Sequence, residues 1–376
     1  MAKGLIINGA KERTGVANYI NLILKYSKFE YDILNINAFS KTRDEDFPRS
    51  ESGDNYIFEA NGRILNDLIS IFVGSFKKRL SHFMSKIKIK YDFVLISQQD
   101  WSFLASVFYT RYANRVVVTV HDAGIFSSKI HPYRFLLNFN FKKLKRQEIA
   151  CVMYDSKRTM EEVNETFEIG GKGKLVELTV DHSRYKRQDK EDCRKKLKLP
   201  LDKTLILSVG TDNFVKNLPT LLHSIPFIRA EGFILVRIGK FSYSFKDYDS
   251  LPEEIKSKIL IFEDVDNDNL PIFYGASDIL VFPSEKEGFG LELVEAILSG
   301  NRVVAVNKAP MNEIAASYAY FVESARDHLE LARVISTAIS ETRKESEMKM
   351  PTSEWINRFS VERFISEVED CLMPDV

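Results

Sequence analysis

"ILVFPSEKEGFGLELVEAILSG", residues 279–300, reads as a short strand, a loop and a helix. Ile279 to Phe282 are apolar without interruption, the pattern of a strand covered on both faces. From about Leu291 apolar residues recur at helical spacing, and Gly300 stands where a left-handed glycine commonly ends a helix. Strand, loop and helix in that order are the repeating unit of a parallel α/β sheet. The loop also carries an acid on each side of its bend, Glu287 before Gly288 and Gly290, and Glu295 after them. A turn needs glycine but neither acid. Glycines at 288 and 290 let backbone approach a ligand closely, and the helix start behind them favours an anion such as phosphate. A tight turn followed by a solvated edge of Glu292, Glu295 and Ser299 would leave the same pattern.

Outward from this stretch the rhythm repeats in two series. "GLIIN", "YDILNI", "YDFVLIS", "RVVVTV" and "ACVMYDS" precede a charged, helix-prone stretch, roughly Asp181 to Lys203. "TLILSVG", "FILVRIG", "KILIFED", "DILVFPS" and "RVVAVN" follow it. With 376 residues, too many for one ordinary core, the two series predict two doubly wound domains. Ligands of such sheets bind beyond the carboxyl ends of the strands.

Composition narrows the class. Lys and Arg number 53 and Asp and Glu 53, so no overall field points to nucleic acid. Cys151, Cys193 and Cys371 are scattered and show no metal or disulfide spacing, which fits a reducing, cytoplasmic setting. The amino terminus enters a strand without a signal-peptide pattern, and apolar runs fall short of the ~20 residues of a membrane span. Basic residues concentrate from Phe72 to Lys90, where Phe72, Phe76, Leu80, Phe83 and Ile87 recur at helical steps. That stretch fits either a core helix with solvated lysines or a helix lying on an anionic membrane. "FKKLKRQ" from Phe141 is a second basic cluster.

Other loops add candidates. "ILSVGTDNFVKNLPTLL", residues 206–222, ends a strand at Gly210 and places Lys216 just before a helix. "KERTGVANYINLIL", residues 11–24, offers Gly15 behind a Thr14 N-cap, without the spacing of a nicotinamide site or a P-loop. "VVVTVHDAG" puts His121 and Asp122 directly after a strand, a position that is more often structural. His182 reads as structural. Asp264 and Asp266 in "EDVDNDN" begin like a metal loop, but the spacing that follows lacks the glycine and glutamate of a calcium site, so no metal is expected.

Glu287-Gly-Phe-Gly-Leu with Glu295 resembles the E-x7-E motif of the retaining glycosyltransferases of family GT4. The frame around it, "LPIFYGASDILVFPS" and "GNRVVAVN", is similar too, and the resemblance covers most of the chain, weakest from Ala38 to Lys90. It implies the GT-B fold, two Rossmann-like doubly wound domains facing each other across a cleft. It places an acceptor-side domain at residues 1–183, joined by a C-terminal helix at 355–376, and a nucleotide-sugar domain at 184–354. By resemblance Glu287 holds donor-sugar hydroxyls and Glu295 the nucleotide ribose. Gly15, Gly210, Thr211, Lys216, Val265, Gly288, Phe289, Gly290 and Leu291 complete the donor site, and His121 lies near the donor sugar. Thr211 stands where the family carries an arginine on the diphosphate, which leaves Lys216 as the expected cation. Glu292 stands where the family usually has proline.

The implied reaction moves a sugar, with retention, from a UDP- or GDP-sugar to a glycan or lipid-linked acceptor. No metal or other cofactor is expected, and the membrane contact would run through residues 72–90. A GT-B nucleotide-sugar epimerase and a catalytically silent sugar-nucleotide-binding protein are the alternatives.

Overall fold

The computed structural model describes residues 1–10, 14–37, 47–59, 73–122, 148–167, 169–342 and 350–374. It divides into two compact units, Met1–Thr179 with Ser360–Val376, and Val180–Phe359. Each is built around a parallel sheet.

The first sheet contains β1 (Lys3–Asn8), β2 (Glu30–Asn37), β3 (Asn55–Glu59), β4 (Phe93–Ile96), β5 (Val116–Val120), β6 (Cys151–Tyr154) and β7 (Gly173–Leu175). Their order is β3-β2-β1-β4-β5-β6-β7, every pairing parallel. The second sheet contains β8 (Thr204–Val209), β9 (Phe233–Ile238), β10 (Ile259–Phe262), β11 (Ile279–Phe282), β12 (Arg302–Val306) and β13 (Ala319–Val322). Here the order is β10-β9-β8-β11-β12-β13, again all parallel. Both sheets are doubly wound, the architecture expected from the apolar runs. The strands absent from that expectation are β3, β7 and β13. All three lie at sheet edges, where one side has no strand to match and the apolar run is short or broken by polar residues.

Local sequence explains the helix ends. The helix Gly15–Tyr26 begins at Thr14, whose Oγ1 accepts the Ala17 amide at 3.2 Å. The helix Leu291–Leu298 ends at Gly300, which has φ +81°, and the Gly300 and Asn301 amides close back onto the Ile297 and Ala296 carbonyls. The charged stretch from Asp181 holds the helix Lys190–Leu197 in the second unit. Its Arg194 is buried and donates to the carbonyls of Ala276 (2.9 Å), Leu201 and Lys203 (3.1 Å each) and to Asp278 Oδ2 (2.6 Å).

One expectation changes, and the basic stretch takes one of its two readings. The single C-terminal helix is two, Ser353–Arg358 and Val361–Leu372, because Ser360 starts a new helix by accepting the Arg363 amide at 3.2 Å. Only the second belongs to the first unit, where Val361, Phe364, Ile365, Val368 and Leu372 are buried. The basic helix, Val73–Met84, is a core helix: Phe76, Leu80 and Met84 are buried, and Phe83 and Ile87 pack against the same core. Phe76, Leu80 and Met84 are taken up by the core, while Phe83 and Ile87 are half-buried. Lys78, Lys86, Lys88 and Lys90 remain exposed. Phe72 and the cluster from Phe141 lie outside the described residues. Among the described residues no helix is long and apolar enough to cross a membrane.

Candidate active site

In the second sheet the chain runs outward from β8 through β9 to β10, then returns to β11 and runs outward through β12 to β13. The β8–β11 border is therefore the switch point, where loops from neighbouring strands diverge and leave a crevice. The two loops singled out in the sequence, after Gly210 and after Phe282, both leave the sheet there.

They are tied together by polar contacts. Asn213 Oδ1 accepts the amides of Val215 (3.0 Å) and Lys216 (2.9 Å), which curls the first loop. Asn217, left-handed at φ +53°, donates to the carbonyls of Pro283 (3.1 Å) and Ala325 (2.6 Å), and the Glu285 amide reaches the Val215 carbonyl at 2.9 Å. Lys216 is thereby held over the second loop. Of the two glycines in that loop, Gly290 is the one that needs its freedom, with φ +108°, and it forms the N-cap of the helix Leu291–Leu298. Phe289 is buried and meets Phe359 edge-on at 6.1 Å, which anchors the bend.

Two carboxylates meet Lys216 here. Lys216 Nζ donates to Glu292 Oε1 at 2.8 Å in good hydrogen-bonding line. It reaches Glu287 Oε1 at 3.0 Å as an ion pair, off that line. Burial pulls the Lys216 ammonium down, but the Glu292 and Glu287 charges outweigh it, and the net shift is upward. Burial raises the Glu287 carboxyl, partly opposed by Lys216.

Glu295 is only 4% exposed, not the solvated edge that its spacing allowed. Burial, then the neighbouring Glu292 charge, push it up to about 7, while the Tyr274 and Tyr185 hydroxyls act in the other direction. The two tyrosine rings meet edge-on at 5.6 Å. The Tyr274 hydroxyl is buried and has no partner in good hydrogen-bonding geometry among the described residues.

A second buried cation lies beneath the Gly210 loop. Arg237, 2% exposed, stands opposite Ser208 in the β8–β9 register. It donates to the Gly210 carbonyl and to Ser208 Oγ, while its Nε has no hydrogen-bond partner among the described residues. Burial lowers it to about 10. Arg237, Lys216, Thr211 and Ser284 line one cavity of about 10 Å³, room for roughly one water.

The remaining expected residues are more dispersed. Thr211 is exposed and accepts from Asn213 Nδ2 at 3.4 Å. Val265 is half-buried on the loop after β10. Asp266 accepts the Asn269 amide (2.7 Å) and side chain (2.9 Å) ahead of the helix Leu270–Ala276, so its carboxylate serves a turn. Gly288 and Leu291 are half-buried on the bend.

Gly15 and His121 belong to the first unit. Gly15 is exposed at its helix start. His121 Nε2 contacts the Ser97 carbonyl at 2.8 Å and, since that oxygen only accepts, Nε2 carries hydrogen. Nδ1 lies 3.4 Å from Asp155 Oδ2, and burial raises Asp155 to about 6. Both ring nitrogens are engaged.

Sequence reasoning missed Arg237, Tyr185, Tyr274 and Asn217. Asn217 had a signal, a Lys-Asn pair at a helix start. The others had none, being ordinary residues within a strand, a charged stretch and an apolar helix.

The fold and site define a GT-B protein whose second unit offers a cation and a helix N-terminus at the switch point. Residues 189–354 match the family model of the glycosyl transferases group 1. The chain is 23% identical over 214 residues to the O-antigen chain mannosyltransferase RfbU of Salmonella typhimurium, a match covering 54% of this chain. That match spans 56% of the relative, little more than half its length. Among solved structures, sucrose-phosphate synthase from Thermosynechococcus elongatus superposes with TM-score 0.75 at 16% identity, covering 98% of both chains. Anabaena Alr3699/HepE in complex with UDP and glucose gives 0.71 at 16% identity, over 98% of this chain and 99% of that one. At such identities these two show the fold.

Proposed function

We propose that this chain transfers a sugar from a UDP- or GDP-sugar, with retention of configuration, to a glycan or lipid-linked acceptor. The observation that carries the proposal is Lys216 held over the Gly288–Gly290 bend, with Glu287 beside it and Glu295 buried one helical step behind. A relative named as a mannosyltransferase and a neighbour that binds UDP support the same reading.

In this reading the diphosphate lies against Lys216 and the amides of Gly288, Phe289 and Gly290, at the positive end of the helix Leu291–Leu298. As the bond from the sugar C1 to the phosphate oxygen breaks, negative charge grows on that oxygen, and these fixed groups stabilise it. The acceptor hydroxyl attacks C1 from the same face, and its proton passes to the departing phosphate. Arg237 supports the loop from beneath through the Gly210 carbonyl. Glu287 accepts from the sugar hydroxyls, Glu295 and the tyrosines face the ribose, and backbone near Val265 meets the base. His121, with both nitrogens engaged, is assigned an orienting role. The scheme calls for no metal. The first unit takes the acceptor, and its exposed lysines at 78, 86, 88 and 90 provide an electrostatic attachment to anionic lipid, without insertion.

The test is donor hydrolysis with a panel of UDP- and GDP-sugars, with and without acceptors, and proton NMR of the product anomer. Release of nucleoside diphosphate and a retained anomer are expected. Interconversion of the donor alone would indicate an epimerase. Binding without turnover of any donor–acceptor pair would indicate a silent protein.

A further inference from the structure

The proposed diphosphate site already contains an anion belonging to the protein. Glu292 is the second residue of the helix Leu291–Leu298, at the end where the helix dipole favours negative charge. An acid there needs no partner, yet its carboxylate is the in-line acceptor of the Lys216 ammonium at 2.8 Å. The contact is largely sheltered, with side-chain exposures of 19% for Lys216 and 18% for Glu292. A methyl group on Gly210 would lie 3.6 Å from both Glu292 Oε1 and Lys216 Cε, so the pair closes over the bend at the end of β8. Glu287 alone would neutralise Lys216. With Glu292 the Lys216 ammonium carries two acids and has no uncompensated charge left to offer a phosphate.

We propose that Glu292 is a specificity-determining residue that competes with the donor diphosphate for Lys216, so that donor binding exchanges one anion for another. The inference rests on the diphosphate role given to Lys216 above. A competitor at this spot selects for ligands with enough phosphate charge to displace it. It also favours departure of the nucleoside diphosphate after transfer, because Glu292 can retake the cation. A sugar still attached to the diphosphate gains the separate contact with Glu287, which offsets part of the cost of displacing Glu292.

Calorimetric titration of the whole chain with UDP and GDP, and with uridine and guanosine as phosphate-free probes, tests this. Glu292→Gln keeps the side-chain shape and removes the charge, while Glu292→Pro removes the carboxylate at a first-turn helix position, where proline is tolerated. Both variants should bind the preferred nucleoside diphosphate about fivefold tighter or more, the size of one partly sheltered ion pair, with nucleoside binding unchanged. The gain should vanish when Lys216→Ala is combined with Glu292→Gln. Equal or weaker diphosphate binding in both variants overturns the inference, as does a gain that survives without Lys216. If the unaltered chain binds neither UDP nor GDP, the donor reading itself falls, and this inference falls with it.

Discussion

Glu295→Gln separates what Glu295 does for folding from what it does for a ligand. The carboxyl is pushed from its ordinary 4.5 up to about 7, first by burial and then by the Glu292 charge. Such a shift means that the folded protein prefers the protonated acid. Below about pH 4 both folded and unfolded chains hold the proton and Glu295 costs nothing. As pH rises from 4.5 through 7 the unfolded chain releases its proton first, and stability is progressively lost. Above about pH 8 the cost is complete. The gap of about 2.5 pH units between 4.5 and 7 corresponds to about 3 kcal/mol, at about 1.4 kcal/mol per unit. Glutamine has nearly the same shape and no charge to bury. The variant should therefore gain up to about 3 kcal/mol against urea at pH 8 and almost nothing at pH 4.5. The same change should weaken nucleoside diphosphate binding, because a neutral amide accepts hydroxyl hydrogens less strongly than a carboxylate. Urea unfolding at several pH values and calorimetry with UDP and GDP supply both halves. A variant no more stable than the parent at pH 8 would refute the electrostatic account of this pocket, whatever its binding.

Three further outcomes follow from the site. Glu287→Ala should cut turnover while leaving nucleoside diphosphate affinity close to its starting value, whereas Glu295→Ala should lower that affinity by roughly ten- to a hundredfold; wild-type activity in both would remove the assignment. Lys216→Ala should reduce turnover by at least about a hundredfold, the scale of one preorganised charge, and a loss below about threefold would pass that role to Arg237. Sedimentation with vesicles should show attachment to anionic lipid that fades with salt and is reduced by changing Lys78, Lys86, Lys88 and Lys90 to Ser, with about 1 kcal/mol per lysine at the surface; equal behaviour with neutral vesicles would point to a soluble acceptor.

The sequence carried those parts of the site whose chemistry is local. Glu287, Gly290 and Glu295 lie within one strand–loop–helix unit, and the bend's need for glycine marks Gly288 and Gly290, of which Gly290 takes the left-handed conformation. The continuous apolar runs marked the interior strands for a similar reason, since each is buried along most of its length. Arg237 was illegible because what distinguishes it is its neighbour across the sheet, Ser208, which parallel pairing brings to it from another strand. Tyr185 and Tyr274 converge on Glu295 from segments far apart in the chain, and each alone is an ordinary amphipathic residue. The basic helix shows the limit of periodicity: its stripe identified an apolar face but not what covers it. Phe58 and Trp101, which meet Phe76 at 5.4 Å and 6.0 Å, settle that question.

The helix Val361–Leu372 gives synthesis an order. The first unit leaves off at Thr179 and resumes only at Ser360. Until then its sheet lacks the helix that buries Phe364, Val368 and Leu372. It also lacks Glu369, which accepts from Ser27 Oγ and the Lys28 amide at 2.8 Å each, and the Cys371 carbonyl that takes the Arg115 guanidinium. A ribosome adding about 5–20 residues per second spends roughly 10–40 s on the intervening unit. For that interval the first half of the chain waits with an uncovered apolar face, while the second unit, continuous in sequence, can complete itself. The unit made first is the one finished last, and a nascent chain stalled before residue 360 would present that face to chaperones.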